Sequence, residues 1–113
     1  MTKRIRSKIA RGSTEVAILA LLAEQPLYGF EISKRIEEKT EGALRFKLAS
    51  LYPMLYDLEK RGFVKGRWEA NRAGRDRRYY RLTPAGKKEL KPLRQEWHSF
   101  FRALDRLAGV ARA

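Results

Sequence analysis

The sequence predicts a mainly α (α+β) domain: three helices, a β-hairpin and one further helix. Three observations set that expectation. Apolar residues recur at helical spacing in three stretches before Gly62, each stopped by glycine or proline. Aromatic-rich alternation replaces that period between Phe63 and Thr83. Thr83-Pro84 then opens a last helix that carries an apolar seam at heptad-like intervals. At 113 residues the chain is long enough for one such domain, with no room for a catalytic unit beside it.

Each element has its own signal. Lys3, Arg4, Arg6, Lys8 and Arg11 form an acid-free basic arm, loosely ordered at most, over residues 1–11. After Gly12, Ser13 or Thr14 caps a first helix, with Glu15 in its first turn where a negative charge suits the dipole. Val16, Ile18, Leu19, Leu21 and Leu22 leave that helix almost no polar face, so it is buried on more than one side. Gln25-Pro26-Leu27-Tyr28-Gly29 stops it. A second helix runs from about Phe30 to Thr40, with Tyr28, Ile32 and Ile36 on one stripe and Gly42 as its end. A third runs from about Leu48 to Arg61 on the stripe Leu48, Leu51, Leu55 and Leu58, with Pro53 early in it and Gly62 as its stop.

Phe63–Glu69 and Arg77–Thr83 read as two strands, joined across the basic, glycine-containing tip Asn71-Arg72-Ala73-Gly74-Arg75. The final helix carries Leu90, Leu93, Trp97, Phe100, Leu104 and Leu107, and Pro92 is expected to kink or split it. Helix, helix, helix, hairpin and helix in that order describe a winged helix-turn-helix over residues 12–83, followed by a C-terminal dimerisation helix over 84–113.

Composition narrows the partner. Charged residues make up 35% of the chain, against about 25% in ordinary globular proteins, and 26 Lys and Arg face 13 Asp and Glu for a net +13. A compact body with that excess repels itself, which points to a polyanion: nucleic acid first, an anionic membrane second. With no cysteine, disulfides and thiolate metal sites are excluded. The longest apolar run, Val16–Ala23, is far short of a membrane span and of poor signal-peptide form, so a soluble, cytoplasmic protein is expected.

A major groove admits one α-helix, and a winged helix inserts its third there. With the leucine stripe facing inward, Lys47, Ser50, Tyr52, Pro53, Tyr56 and Lys60 are left outward, as DNA-contacting residues or as ordinary surface. On the hairpin Lys65, Arg67, Arg72, Arg75, Arg77 and Arg78 outnumber Glu69 and Asp76, and arginine forks suit phosphate oxygens. Arg72, Arg75, Arg77 and Arg78 are the candidate wing contacts. The basic arm either tracks the backbone or packs near a dimer axis.

The last seam is too wide for a lone terminal helix to bury. Self-association covers it, packing on the first helix covers it, or both do. Trp97 within it is either core or the wall of a hydrophobic ligand pocket between subunits. His98 has no cysteine and no acidic partner in sequence, the serines lie in no nucleophile motif, and no metal-ligand spacing or phosphate-cradling glycine loop occurs. No enzyme, metal or cofactor is expected. An RNA-binding basic module is the alternative that charge alone allows, but it has no need of a helix pair with a basic hairpin.

Three motifs in order now carry a family resemblance. They are Leu19-Ala20-Leu21-Leu22 with Pro26-Leu27-Tyr28-Gly29-Phe30-Glu31-Ile32, then Ser50-Leu51-Tyr52-Pro53-Met54-Leu55-Tyr56-Asp57-Leu58-Glu59-Lys60-Arg61-Gly62, then Arg78-Tyr79-Tyr80-Arg81-Leu82-Thr83-Pro84-Ala85-Gly86. From about Gly12 to Leu107 the chain resembles the PadR family, regulators named after control of phenolic acid decarboxylation. The resemblance implies a repressor that acts as a homodimer on a palindromic double-stranded operator, with the helix around Tyr52 and Pro53 in the major groove and wing arginines on the flanks. It also implies the compact branch, whose C-terminal helix builds the dimer. Some members of that branch hold a small aromatic effector between subunits near a tryptophan, and Trp97 is the matching position. Where the family opens its recognition helix on serine or threonine, this chain has Lys47. That forgoes about 1 kcal/mol of capping and adds a cation for phosphate. Pro92 departs from the family's dimer helix.

Overall fold

The structure is a computed structural model and describes residues 3–70, 74 and 76–109, with side chains from residue 12 onward. Helix α1 spans Lys3–Glu24, strand β1 Leu27–Tyr28, α2 Gly29–Lys39, α3 Leu48–Lys60, β2 Val64–Ala70, β3 Asp76–Leu82 and α4 Pro84–Ala108. Three antiparallel strands form one sheet in the order β1-β3-β2. The chain is a winged helix-turn-helix with a long final helix, as the sequence predicts.

The core lies where α1, α2, α3 and the sheet converge. Ile18, Leu19 and Leu22 of α1 meet Ile32 and Ile36 of α2, Leu51, Leu55 and Leu58 of α3, Leu27, Val64 and Tyr80 of the sheet, and Leu90 of α4. Full burial of each such aliphatic side chain stabilises the fold by about 1.5–3 kcal/mol. Leu51, Leu55 and Leu58 are all wholly buried, so the predicted stripe does anchor α3, with Leu48 half-buried at its edge.

The structure corrects several expectations. Helix α1 starts at Lys3, ten residues before the expected cap, and runs unbroken through Gly12. The basic stretch is therefore helical: Lys, Arg, Ile and Ala are adequate helix formers, and one glycine costs about 1 kcal/mol without breaking the ladder. Thr14, expected as a possible cap, is buried inside the helix at 1% exposure.

Tyr28 does not share a helical stripe with Ile32 and Ile36. Pro26 leaves the chain extended, and Leu27 and Tyr28 pair with Tyr80 and Tyr79 as an edge strand. Two residues are too few to show alternation in a sequence. The Tyr28 N–H donates to the Glu31 carboxylate (3.2 Å), which fixes the entry into α2.

Pro92 neither splits α4 nor ends it: the helix is continuous over 25 residues with Pro92 inside. Leu90 before it and Leu93 after it both pack on the core, so two anchors hold the turns in line across the one missing hydrogen bond. Pro53 likewise lies inside an unbroken α3, in its second turn.

Helix α4 begins as predicted. Thr83 is the N-cap and its Oγ1 accepts the Gly86 N–H (3.0 Å) while donating to the Gly62 carbonyl (2.6 Å). The Thr83 N–H donates to the Phe63 carbonyl (3.1 Å). That carbonyl stands where a Cβ on Gly86 would go, so glycine alone permits the approach. The knot ties the end of α3, the start of β2 and the start of α4 at one point.

Candidate nucleic-acid interface

Helix α3 is held by its buried stripe and by two neighbours. On its N-terminal side, the α2–α3 turn is braced by Ser33 Oγ donating to the Phe46 carbonyl (2.8 Å) and by Thr40 Oγ1 accepting the Leu44 N–H (3.0 Å). The Tyr52 ring lies across Gly29, with Cε1 2.7 Å from where a Cβ on that glycine would stand. The first turn of α2 thereby sets the angle of Tyr52, which is still 46% exposed.

With those sides taken, Ala49, Pro53, Tyr56 and Lys60 fall at i, i+4, i+7 and i+11 on the outermost ridge of α3, and all four are exposed. Lys47 and Ser50, also exposed, stand at the start of the helix. Lys47 is the N-cap and makes no side-chain cap. The Ser50 and Leu51 N–H groups donate to the Lys47 carbonyl (2.9 and 3.0 Å), and no side chain covers this end of the helix, where the dipole favours negative charge. Among the described residues neither Lys47 nor Lys60 makes an ion pair.

The wing is tied to α3 by one residue. Arg78 donates to both oxygens of Glu59 (2.7 and 3.0 Å), and the Gly66 N–H donates to Glu59 Oε2 (3.0 Å). The guanidinium lies directly over Gly66 and within 5.7 Å of the ring centroids of Trp68 and Tyr80. Burial pushes the Glu59 carboxyl up, but the Arg78 and Gly66 hydrogen bonds and the charges of Arg78 and Lys65 outweigh it and hold it below its ordinary value. The same hydrogen bond raises Arg78. Burial raises the Tyr80 hydroxyl at the floor of this cleft.

The predicted wing arginines therefore part ways. Arg78 points inward and is engaged by Glu59, whereas Arg77, its neighbour, points outward and stands over the Tyr28 ring at 4.4 Å. Strand alternation alone separates them. Arg72 and Arg75 lie outside the described residues. Trp68 is 63% exposed and with Tyr56 (69%) flanks an open cleft of about 460 Å³ between α3 and the wing. Glu59, too, escaped the sequence reading, because its partners lie far along the chain.

The C-terminal seam divides in two. Leu90 is 4% exposed and belongs to the chain's own core, which removes it from a surface for a second copy. Leu93 packs beside it, and Trp97 lies across Gly12 of α1. Beyond Trp97 the seam is bare: Phe100 is 42% exposed, Phe101 53% and Leu107 86%, with Leu104 half-buried. The rings of Trp97, Phe100 and Phe101 form a cluster with centroids 5.7–6.1 Å apart. Phe101 is a member that heptad spacing missed. Among the described residues no helix is long and apolar enough to cross a membrane, and no group of side chains could hold a metal ion.

These features have counterparts in known proteins. The model of the transcriptional regulator PadR-like family matches residues 18–92, which include α2, α3, the hairpin and the start of α4. An uncharacterised protein from Lysinibacillus sphaericus is 36% identical over 101 residues, covering 89% of this chain and 93% of its own. A transcriptional regulator from Clostridium thermocellum superposes with a TM-score of 0.82 at 35% identity, covering 89% of this chain and 98% of its own. A PadR family transcription regulator from Clostridium difficile superposes with a TM-score of 0.73 at 26% identity, over 83% of this chain and 96% of its own. The chain belongs to the PadR-like family of transcriptional regulators, a membership that implies DNA binding.

Proposed function

We propose that the protein is a homodimeric repressor that binds a palindromic operator in double-stranded DNA. Helix α3 enters the major groove through Tyr52, Pro53, Tyr56 and Ser50, while Lys47 and Lys60 meet phosphates on either side. Arg72, Arg75 and Arg77 carry the wing to the flank, and Arg78 holds it there through Glu59. The observation that carries this reading is the ridge of α3, exposed along its whole length while its opposite stripe is wholly buried.

Dimerisation rests on the bare distal half of α4. Phe100, Phe101, Leu104 and Leu107 supply apolar knobs, and a groove of about 290 Å³ lined by Ala17, Ala20, Leu21 and Ile36 opens between α1 and α2 beside Arg94 of α4. Knob and groove on one surface suit a two-fold pair, each copy filling the other. Such a pair would present two recognition helices one helical turn apart, about 34 Å. Trp97 at the base of the seam is the position for a small, flat, aromatic effector between subunits. Such an effector would lower operator affinity by shifting the two α3 helices out of register.

Selection of genomic fragments on the purified protein at physiological salt tests the reading. A recovered palindrome bound by a dimer is expected. Between about 50 and 200 mM salt, a dimer touching some 6–10 phosphates should lose about 10³–10⁵ in affinity. Flat salt dependence, or preference for single-stranded or structured RNA, would overturn it.

A further inference from the structure

Helix α1 carries only two carboxylates, Glu15 and Glu24, and each is engaged by the end of a different helix of the helix-turn-helix pair. Glu15, half-buried in the middle of α1, accepts from Arg61, the C-cap of α3. The same guanidinium reaches Asp57 (2.9 Å) and stands over the Phe63 ring at 5.3 Å. Glu24, the last residue of α1, accepts from Lys39, the last residue of α2 (3.1 and 3.2 Å). Cations suit helix C-termini, and here both find their carboxylate on one third helix.

These ties cross between two halves of the domain. Helix α1 packs mainly on α4 and β3, whereas α3 packs mainly on α2 and β2. Side chains of both halves meet in one core, but hydrophobic contact is non-directional and opposes separation more than a roll of one half on the other. Ion pairs at two points about 13 Å apart along α1 oppose that roll. Exposed ion pairs add little to stability, so orientation is the property they can set. Glu15 also lies one turn from Gly12, where Trp97 of α4 crosses α1. The Glu15–Arg61 tie therefore joins the recognition helix to α1 beside its crossing with the helix that carries the bare seam.

We propose that Glu15–Arg61 and Glu24–Lys39 set the pose of the helix-turn-helix pair on α1 and α4, and with it the half-site spacing that two copies accept. The inference rests on the dimeric, DNA-binding reading above. Firmly posed recognition helices demand one spacing, because an inserted base pair moves the second half-site by about 3.4 Å and turns it by about 34°. Helices able to roll would follow that displacement. The four side chains are thereby positioning residues that act through the pose of α3.

The test compares the wild type with Glu15→Gln/Glu24→Gln on the palindrome recovered from genomic fragments. Duplexes keep its spacing, change it by one or two base pairs, or carry one half-site alone. The wild type should lose about tenfold in affinity per base pair of change, and the variant about threefold or less. On the single half-site the two should agree within about threefold. The charge swap Glu24→Lys/Lys39→Glu keeps the net charge and should recover the spacing preference that Glu24→Lys alone weakens. A readout without DNA uses the lack of cysteine in the chain. A nitroxide on Ala49→Cys, exposed on α3, reports the distance between copies, and its distribution should be about twice as broad in the variant. The two proteins should melt within about 2 °C of each other. If the double variant melts earlier, Glu24→Gln, which removes only the exposed Glu24–Lys39 tie, carries the comparison.

A variant with the wild-type spacing profile would overturn the proposal. Equal losses at every spacing would overturn it too, since the ties would then be general supports of the fold. A wild type that shows no distance between copies, or binds one half-site as tightly as the palindrome, would overturn the dimeric reading itself, a result visible without any variant.

Discussion

The indole of Trp97 occupies the place where any side chain at position 12 would have to go: its Cζ2 lies 2.9 Å from an ideal Cβ on Gly12. A glycine inside a 22-residue helix thus marks a close crossing of α1 and α4. It also sets the point on α4 at which the apolar seam leaves the chain's own core and becomes bare.

Gly12→Ala should therefore reverse its usual sign. In an open helix the change adds about 0.5–1 kcal/mol. Here the indole must shift, and overpacking of this kind costs about 1–3 kcal/mol. Urea unfolding at one fixed protein concentration should show a net loss. In a Trp97→Phe background, where the six-membered ring of the indole is gone, the same alanine should stabilise. A loss of equal size in both backgrounds would show that Trp97 does not set the cost.

Removing the carboxylate that holds the wing should be visible in the pH dependence of stability. Glu59 is held below its ordinary value in the folded protein. Its contribution is therefore complete above the unfolded-state value, near 4.3, and is lost as pH falls through the lower folded-state value. Glu59→Gln should cost about 1–2 kcal/mol at neutral pH. The gap between the two proteins should close as melting is followed from about pH 5 down to 3. A gap that stays constant over that range would mean the charge of Glu59 plays no part.

Tyr52 is aimed by Gly29, so a small change on α2 should act at the DNA face. Gly29→Ala should displace the ring and weaken binding to the selected operator about tenfold or more, with little change on random-sequence DNA. Tyr52→Ala and Ser50→Ala should do the same. Fluorescence anisotropy on both duplexes at one salt concentration measures the ratio, and equal losses on the two would make these residues positioning contacts only.

Phe100→Ser/Phe101→Ser should leave the fold intact, because both rings are largely exposed in a single chain. Sedimentation velocity should show a monomer. Loss of the paired second site should reduce operator affinity by about 10²–10⁴. A dimer that survives both changes would place the two-fold interface elsewhere.

Much of this molecule is legible along the chain. The α3 stripe of Leu51, Leu55 and Leu58, the cap at Thr83 and the change of period after Gly62 are local patterns, and local patterns follow from helix and strand geometry alone. Three of the errors share one cause, a partner distant in sequence. Gly12 reads as a boundary until Trp97 is placed on it. Pro92 reads as a break until Leu90 and Leu93 are seen anchored on both sides of it. Arg77 and Arg78 read as equivalent until the register sends one out to solvent and the other in to Glu59.

By itself, then, the sequence determined the order of elements, the buried stripes, the excess of positive charge and the family, because all of these depend on residue type and spacing within a segment. Tertiary structure alone decided which cations are free and which glycines are obligatory. It also decided where the α4 seam stops being core. Those depend on what stands within a few ångströms in space, and residues 12 and 97, or 59 and 78, become neighbours only when the core brings their helices and strands together.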